Sequence, residues 1–121
     1  MEVQASAAKT ADGNSVDFTT PATPPIKGIM LFLEITAATG TTPTLDLDVE
    51  VKDPVSGKYF VVASFAQKTA AGTDRLSIYP SLTAVANKAI SDLLPTTWRL
   101  KWTIGGGSPS FTFSVGGRYL R

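Results

Sequence analysis

The feature that most constrains the fold is a strict alternation of apolar and polar residues in short runs. The clearest run is TLDLDVEVK at 44–52, in which every second residue is apolar and most of the others are charged. A second run, TWRLKWTI at 97–104, places both tryptophans on one face and basic residues on the other. Because successive side chains of a β-strand point to opposite faces, this period of two predicts strands with one buried face.

Runs of this kind recur along the chain and are interrupted by clusters of Gly, Pro, Asn and Ser. Strands separated by turn residues at a spacing of roughly 8–12 residues are typical of antiparallel sandwiches and barrels. The regular crossover helices of a parallel sheet are missing from the pattern. The sequence therefore predicts an all-β, single-domain antiparallel β-sandwich over residues 1–121, jelly-roll-like and built from about eight strands.

Two segments depart from simple alternation. KYFVVASFAQK at 58–68 is apolar on both faces, which predicts a central or covered strand. SLTAVANKAISDLLP at 81–95 fits two structures. Its apolar residues recur at helical spacing, whereas the part NKAISDL also fits a short edge strand. The sequence leaves helix and edge strand open here.

One unit occurs twice: GTTPTLDLDV at 40–49 and GGSPSFTFSV at 106–115. Glycines followed by Thr-Pro or Ser-Pro and then a strand predict two equivalent hairpins, each with a Gly-rich loop. The outward residues differ between the copies, being acidic in the first and Thr or Ser in the second. A ligand bound by both copies would require the same outward residues, so we interpret the repeat as structural.

The chain contains neither cysteine nor histidine. This composition removes disulfides, thiolate metal sites and the commonest general base. The remaining candidates for acid–base chemistry are Asp46, Asp48 and Glu50, which share one strand face about 6.5–7 Å apart. Such a row can suit a glycosidase pair or a calcium site. Because the face is predicted to be solvated, we expect no enzymatic activity, no catalytic residue, no cofactor and no metal.

Nucleic acid and membrane are not expected as partners. In WRLKW at 98–102, basic and aromatic residues alternate, so the tryptophans share one strand face and Arg99 and Lys101 the other. A stacking surface needs both kinds of residue on one face, so we predict buried tryptophans instead. The longest apolar run, GIMLFLEIT at 28–36, is too short to cross a bilayer.

Both ends of the chain are candidates for interaction. EVQASAAKT at 2–10 is a strand of small and polar residues with little to bury. Residues 1–10 are therefore either the first strand or an N-terminal arm that adds to a neighbour's sheet edge. GGRYLR at 116–121 combines basic, aromatic and apolar residues. The candidate interaction residues at the two ends are Glu2, Val3, Gln4, Arg118, Tyr119 and Arg121.

Four motifs carry a resemblance to a known group: ADGNS at 11–15, ITAATGTTPTLDLDVE at 35–50, FAQKTAAGT at 65–73 and WRLKWTIGGGSPSFTFSV at 98–115. In these motifs the chain resembles short β-rich proteins encoded among the head and tail genes of tailed bacteriophages and prophages. The resemblance covers most of the chain. Its motifs are structural, and no catalytic residue is carried over with them.

The resemblance implies a virion structural protein, made in the host cytoplasm and located in the virion. It favours a capsid decoration protein that binds the outer shell, with the major capsid protein or other virion proteins as partners. It also implies a homo-oligomer, for which a trimer is one arrangement. A tail or neck protein is the alternative within the same group.

Two hypotheses from other classes stay open. A carbohydrate-binding sandwich would need Tyr59, Tyr79 or Tyr119 in an exposed flat patch. An enzyme would have to act through the row of carboxylates at 46–50.

Overall fold

The computed structural model describes all 121 residues and confirms the all-β class. No helix that could span a membrane is present. The chain forms eight strands, as predicted: β1 Glu2–Lys9, β2 Gly13–Asn14, β3 Phe18–Thr19, β4 Gly28–Lys52, β5 Tyr59–Ser64, β6 Gly72–Ile78, β7 Ala89–Ile90 and β8 Thr97–Leu120.

All eight strands belong to one mixed, open sheet, rather than to two separately hydrogen-bonded sheets. Its centre is the antiparallel pair of β4 and β8, which continues along almost the whole length of both strands. The β1, β2 and β3 strands pair with β8, whereas β5 and β6 pair with β4. The prediction of a purely antiparallel sheet is wrong at one place, because β7 runs parallel to β6.

The repeated unit does not form two hairpins, which corrects the prediction. Both copies lie inside the long strands, and their Gly-Pro segments face each other where the β4–β8 register shifts, between residues 39 and 44. The contact is reciprocal. A Cβ atom on Gly40 would lie 2.9 Å from the Cα of Pro109, and one on Gly106 would lie 2.9 Å from the Cα of Pro43. The repeat therefore builds one crossing of two strands, with local two-fold symmetry.

At this crossing the sheet folds over on itself. Trp102 and Phe113 lie on the same strand, and in a straight strand their positions would be about 36 Å apart. Their ring centroids are instead 5.7 Å apart, in an edge-to-face arrangement. The bulged, glycine-containing segment of β8 between them allows this reversal.

The crossing divides the sheet into two halves. The terminal half contains residues 28–39 of β4 and 110–120 of β8, together with β1, β6 and β7. The central half contains residues 44–52 of β4 and 97–105 of β8, together with β2, β3 and β5. One cluster of 19 buried apolar residues takes members from both halves. The alternation in the sequence predicted most of them correctly, because each is the inward residue of its strand.

The segment predicted as a central strand at 58–68 lies at the edge of the sheet. Only residues 59–64 form β5, and β5 pairs with β4 alone. Phe60 and Val61 each remain 55% exposed. Apolar residues on both faces normally indicate cover on both faces, but here no further strand or helix supplies it.

The ambiguous segment at 81–95 contains no helix. It forms the two-residue strand β7 beside β6, within otherwise irregular chain. Asn87 has a φ of 59°, a left-handed conformation that interrupts a right-handed helix. The apolar residues at helical spacing are only partly buried, since Val85 and Leu93 remain exposed.

A buried carboxylate ties this irregular segment to β6. The side chain of Asp74 is only 2% exposed and forms ion pairs with both Lys68 and Lys88. Burial by itself raises the pKa of Asp74, but the hydrogen bonds from the two lysines outweigh this effect and hold the pKa at about 2, below its ordinary value of 3.8.

We expect the free energy of unfolding to fall as the pH drops from about 4 to about 2, because Asp74 binds a proton more readily in the unfolded chain. The depressed pKa corresponds to about 2 kcal/mol of stability, fully present above the unfolded pKa and lost on acidification through the folded pKa. Urea unfolding followed between pH 2 and pH 7 measures this slope. Asp74→Asn is expected to flatten it, whereas Asp48→Asn, at a carboxylate with no ion pair, is expected to leave it unchanged. Equal slopes in all three proteins would contradict the assignment.

Candidate functional site

The outer face of the terminal half carries a shallow slot with an exposed aromatic side chain. Phe32 points away from the core, between two buried leucines, and is 44% exposed. Its neighbour on β8 is Gly116, which has no side chain to cover the ring. Side chains from three adjacent strands surround the opening. We call this surface the Phe32 slot; its outward residues are Phe32, Glu34, Thr73, Arg75, Ser114 and Gly116.

The rim of the Phe32 slot is charged. Glu34 follows Phe32 on the same face of β4, and Arg75 lies opposite Phe32 on β6. Arg118 lies two residues beyond Gly116 on β8, and Glu2 pairs with Gly116 from β1. None of these four side chains forms an ion pair within the chain. An apolar centre with a polar, unpaired rim is typical of protein-binding surfaces.

Two of the predicted terminal residues, Glu2 and Arg118, thus lie beside the Phe32 slot. The β1 strand pairs with β8 of its own chain, so residues 2–9 form an edge strand of this sheet. Val3 is buried in the core, where it packs near Gly117, and its side chain is therefore not part of any surface. Gln4 lies opposite Val115 on β8.

The other two terminal residues lie away from the slot. Tyr119 is half-buried beside the indole of Trp98. Burial raises the pKa of the Tyr119 hydroxyl, and the nearby indole N–H partly opposes this rise. The indole N–H is buried and does not reach the geometry of a full hydrogen bond with any partner. The backbone carbonyl of Arg121 accepts a hydrogen bond from the Tyr79 hydroxyl at 2.5 Å.

The carboxylate row is not the uniformly solvated face that the sequence predicted. Glu50 is only 6% exposed, and its Oε1 accepts a hydrogen bond from Nε of Arg99 at 2.9 Å. Asp46 accepts from the side-chain amide of Gln67 at 3.1 Å. Asp48 is part-exposed and has no side-chain partner within the chain. Glu50 is buried because the guanidinium of Arg99, paired across the strand, compensates its charge.

Tyr59 extends this arrangement across the outer face of the central half. The Arg99 guanidinium lies 3.4 Å from the centroid of the Tyr59 ring, and the Tyr59 hydroxyl donates to the Asp17 carboxylate at 2.8 Å. Lys52 also approaches Asp17, with Nζ 3.5 Å from Oδ2. The residues of this network come from β4, β5, β8 and the residue that precedes β3, so it holds four chain segments together.

The three tyrosines named for carbohydrate binding do not share one surface. Tyr59 belongs to the network just described, on the outer face of the central half. Tyr119 packs against the core cluster, and Tyr79 is bonded to the C-terminal carbonyl. All three are half-buried. The Arg99 guanidinium covers one face of the Tyr59 ring, and the three rings therefore form no common flat patch of the kind that the carbohydrate hypothesis needs.

No group of three or more Asp and Glu side chains with the geometry of a metal site is present. No family model matches the chain, and no curated protein matches its sequence.

Glu2 and Arg118 were predicted as interaction residues, but the slot beside them was not. Alternation alone gave no reason to single out Phe32. The informative signal was the combination of an outward phenylalanine with the glycines of GGRYLR. That combination becomes visible only when the β4–β8 register places Phe32 opposite Gly116.

Proposed function

We propose that the protein is a structural component of a tailed-phage virion, and specifically a capsid decoration protein that binds the outer shell and stabilises it by bridging capsomers. The observation that carries this proposal is the Phe32 slot, an exposed aromatic surrounded by unpaired charges on a rigid sheet. The resemblance of the four sequence motifs supplies the class of particle. The partner is the major capsid protein or another virion protein.

The mechanism is passive. Exposed aromatic side chains within polar rims provide much of the energy at protein interfaces. Each decoration protein contributes a modest contact, and many copies on one shell add by multivalency. The two halves of the folded sheet share one core cluster, which supports a single-domain, jelly-roll-like sandwich that presents its outer faces rigidly.

A tail or neck protein is the second candidate, because the same resemblance covers head and tail genes. The slot fits a protein partner in either place. The position of the labelled chain in electron micrographs of the virion distinguishes the two.

We expect the protein to co-sediment with assembled shells of the phage that encodes it. We expect Phe32→Ala to weaken this binding about tenfold or more, because an aromatic hot-spot residue contributes about 2 kcal/mol or more. Val55→Ala is the matched control, since Val55 is an exposed apolar residue in a turn of the central half. Shells that bind neither protein would overturn the decoration function. Equal binding of Phe32→Ala and the wild type would show that the Phe32 slot is not the surface that contacts the shell.

A further inference from the structure

The free edge of β5 lacks most of the features that normally keep sheet edges from pairing. Residues 59–64 contain no charged residue and no proline, although charges, prolines, bulges and short strands are the usual protections. Phe60 and Val61 are exposed apolar side chains on opposite faces of the strand. A single bulge at Val62, which the β4 ladder skips, is the exception.

The other edges of the sheet are protected. The β1 strand carries charges at Glu2 and Lys9, and its ladder is interrupted by two register shifts. The β2, β3 and β7 strands contain only two residues each, and the part of β6 that β7 leaves unpaired carries Asp74 and Arg75. The edge of β5 is therefore the longest one without a charged residue, and a single bulge interrupts it.

The hydrogen-bonding pattern shows which backbone groups are free. The N–H of Asp53 donates to the carbonyl of Lys58 at 2.8 Å. Because hydrogen-bonded pairs alternate in an antiparallel ladder, Phe60 is the next residue to bond to β4, and Tyr59 and Val61 direct their backbone N–H and C=O groups outward. At the far end of β5, the side-chain amide of Asn87 donates a hydrogen bond to the backbone carbonyl of Ser64 at 3.1 Å, so this carbonyl is already used.

We propose that β5 is a self-association edge, through which two copies of this chain pair antiparallel around residues 59–62 and join their sheets. The edge fits an extended, uncharged strand with apolar side chains on both faces, and β5 is itself such a strand. An antiparallel pair of identical strands is related by a two-fold axis, so the contact closes at two copies.

The first test is the mass in solution. By sedimentation velocity the wild type is expected to have twice the 12.8 kDa mass of one chain. Val61→Lys, which places a charge on the edge, is expected to lose the dimer at concentrations where the wild type is dimeric. Val16→Lys is the matched control, because Val16 is an exposed valine at the opposite side of the central half, and it is expected to remain dimeric.

The second test uses the absence of native cysteine. Val61→Cys introduces one thiol beside the proposed axis, and mild oxidation is expected to give a covalent dimer, whereas Val16→Cys is expected to stay monomeric on a denaturing gel. A monomeric wild type at 100 µM, or any oligomer that Val61→Lys leaves intact, would overturn the proposal. Both tests omit capsids, so their outcome is independent of shell binding.

Discussion

Replacing Gly106 by alanine is expected to destabilise the fold by about 2–5 kcal/mol, a large part of the 5–15 kcal/mol that stabilises a typical domain. Gly106 has a φ of +109°, and an added Cβ would lie 2.8 Å from the carbonyl oxygen of Thr42 and 2.9 Å from the Cα of Pro43. These are backbone atoms of the crossing strand, which cannot rotate away as a side chain would. The cost combines an unfavourable backbone conformation with overpacking.

Gly57→Ala separates the two contributions. Gly57 also has a positive φ, of +74°, but nothing lies within 4 Å of its added Cβ. We therefore expect a loss of about 1 kcal/mol from the backbone conformation alone. Urea unfolding followed by tryptophan fluorescence measures both variants. Equal losses would show that the two strands do not make a tight contact at the crossing.

The reciprocal variant, Gly40→Ala, is expected to behave like Gly106→Ala. Its added Cβ would meet the carbonyl oxygen of Gly107 and the Cα of Pro109, both at 2.9 Å, and its φ is +119°. The two copies of the repeated unit thus predict two similar effects. A large loss at Gly106 with none at Gly40 would contradict the local two-fold symmetry.

Truncating Phe113 to alanine is the second change with a large expected effect, about 3–5 kcal/mol. Phe113 is fully buried and meets the ring of Trp102 across the folded sheet. The variant removes apolar surface from the cluster that both halves share. Val55→Ala is the control, since Val55 is 94% exposed in a turn, and we expect it to lose less than about 1 kcal/mol.

A double-mutant cycle with Trp102→Ala tests the contact itself. If the folded-over strand brings the two rings together, the double variant should lose about 0.5–1.5 kcal/mol less than the sum of the two single losses, because each single variant already removes the contact. Strictly additive losses would place the two rings apart in solution. The cycle thus tests the fold of β8 directly, because the rings belong to residues that a straight strand would separate.

The alternation in the sequence was sufficient to identify most of the core. Leu45, Leu47 and Val49 are buried as predicted, and so are both tryptophans. A strand's inward residues can be read locally, because the side-chain period of two is a property of the backbone. Glu50 continues the same alternation but is buried, since Arg99, 49 residues further along the chain, compensates its charge. Nothing near Glu50 in the sequence indicates that partner.

The repeat and the edge strand show the same limit. Gly-rich segments followed by proline are normal hairpin signals, yet here the two segments cross each other within continuous strands. The apolar run at 58–68 indicates a covered strand, yet β5 has one neighbour and an open edge. In both cases the residues specify the local backbone conformation. The strand that lies beside them determines whether the segment forms a hairpin or a crossing, and whether a strand is central or at the edge.

The sequence by itself determined the all-β class, the approximate number of strands and the inward faces, because these depend on residues near one another in the chain. The tertiary structure alone decided the strand order, the fold of the sheet at the Gly40–Gly106 crossing, the burial of Glu50, and the surfaces around Phe32 and β5. These features depend on which distant segments meet, and a period-two pattern carries no information about the neighbour across the hydrogen bonds.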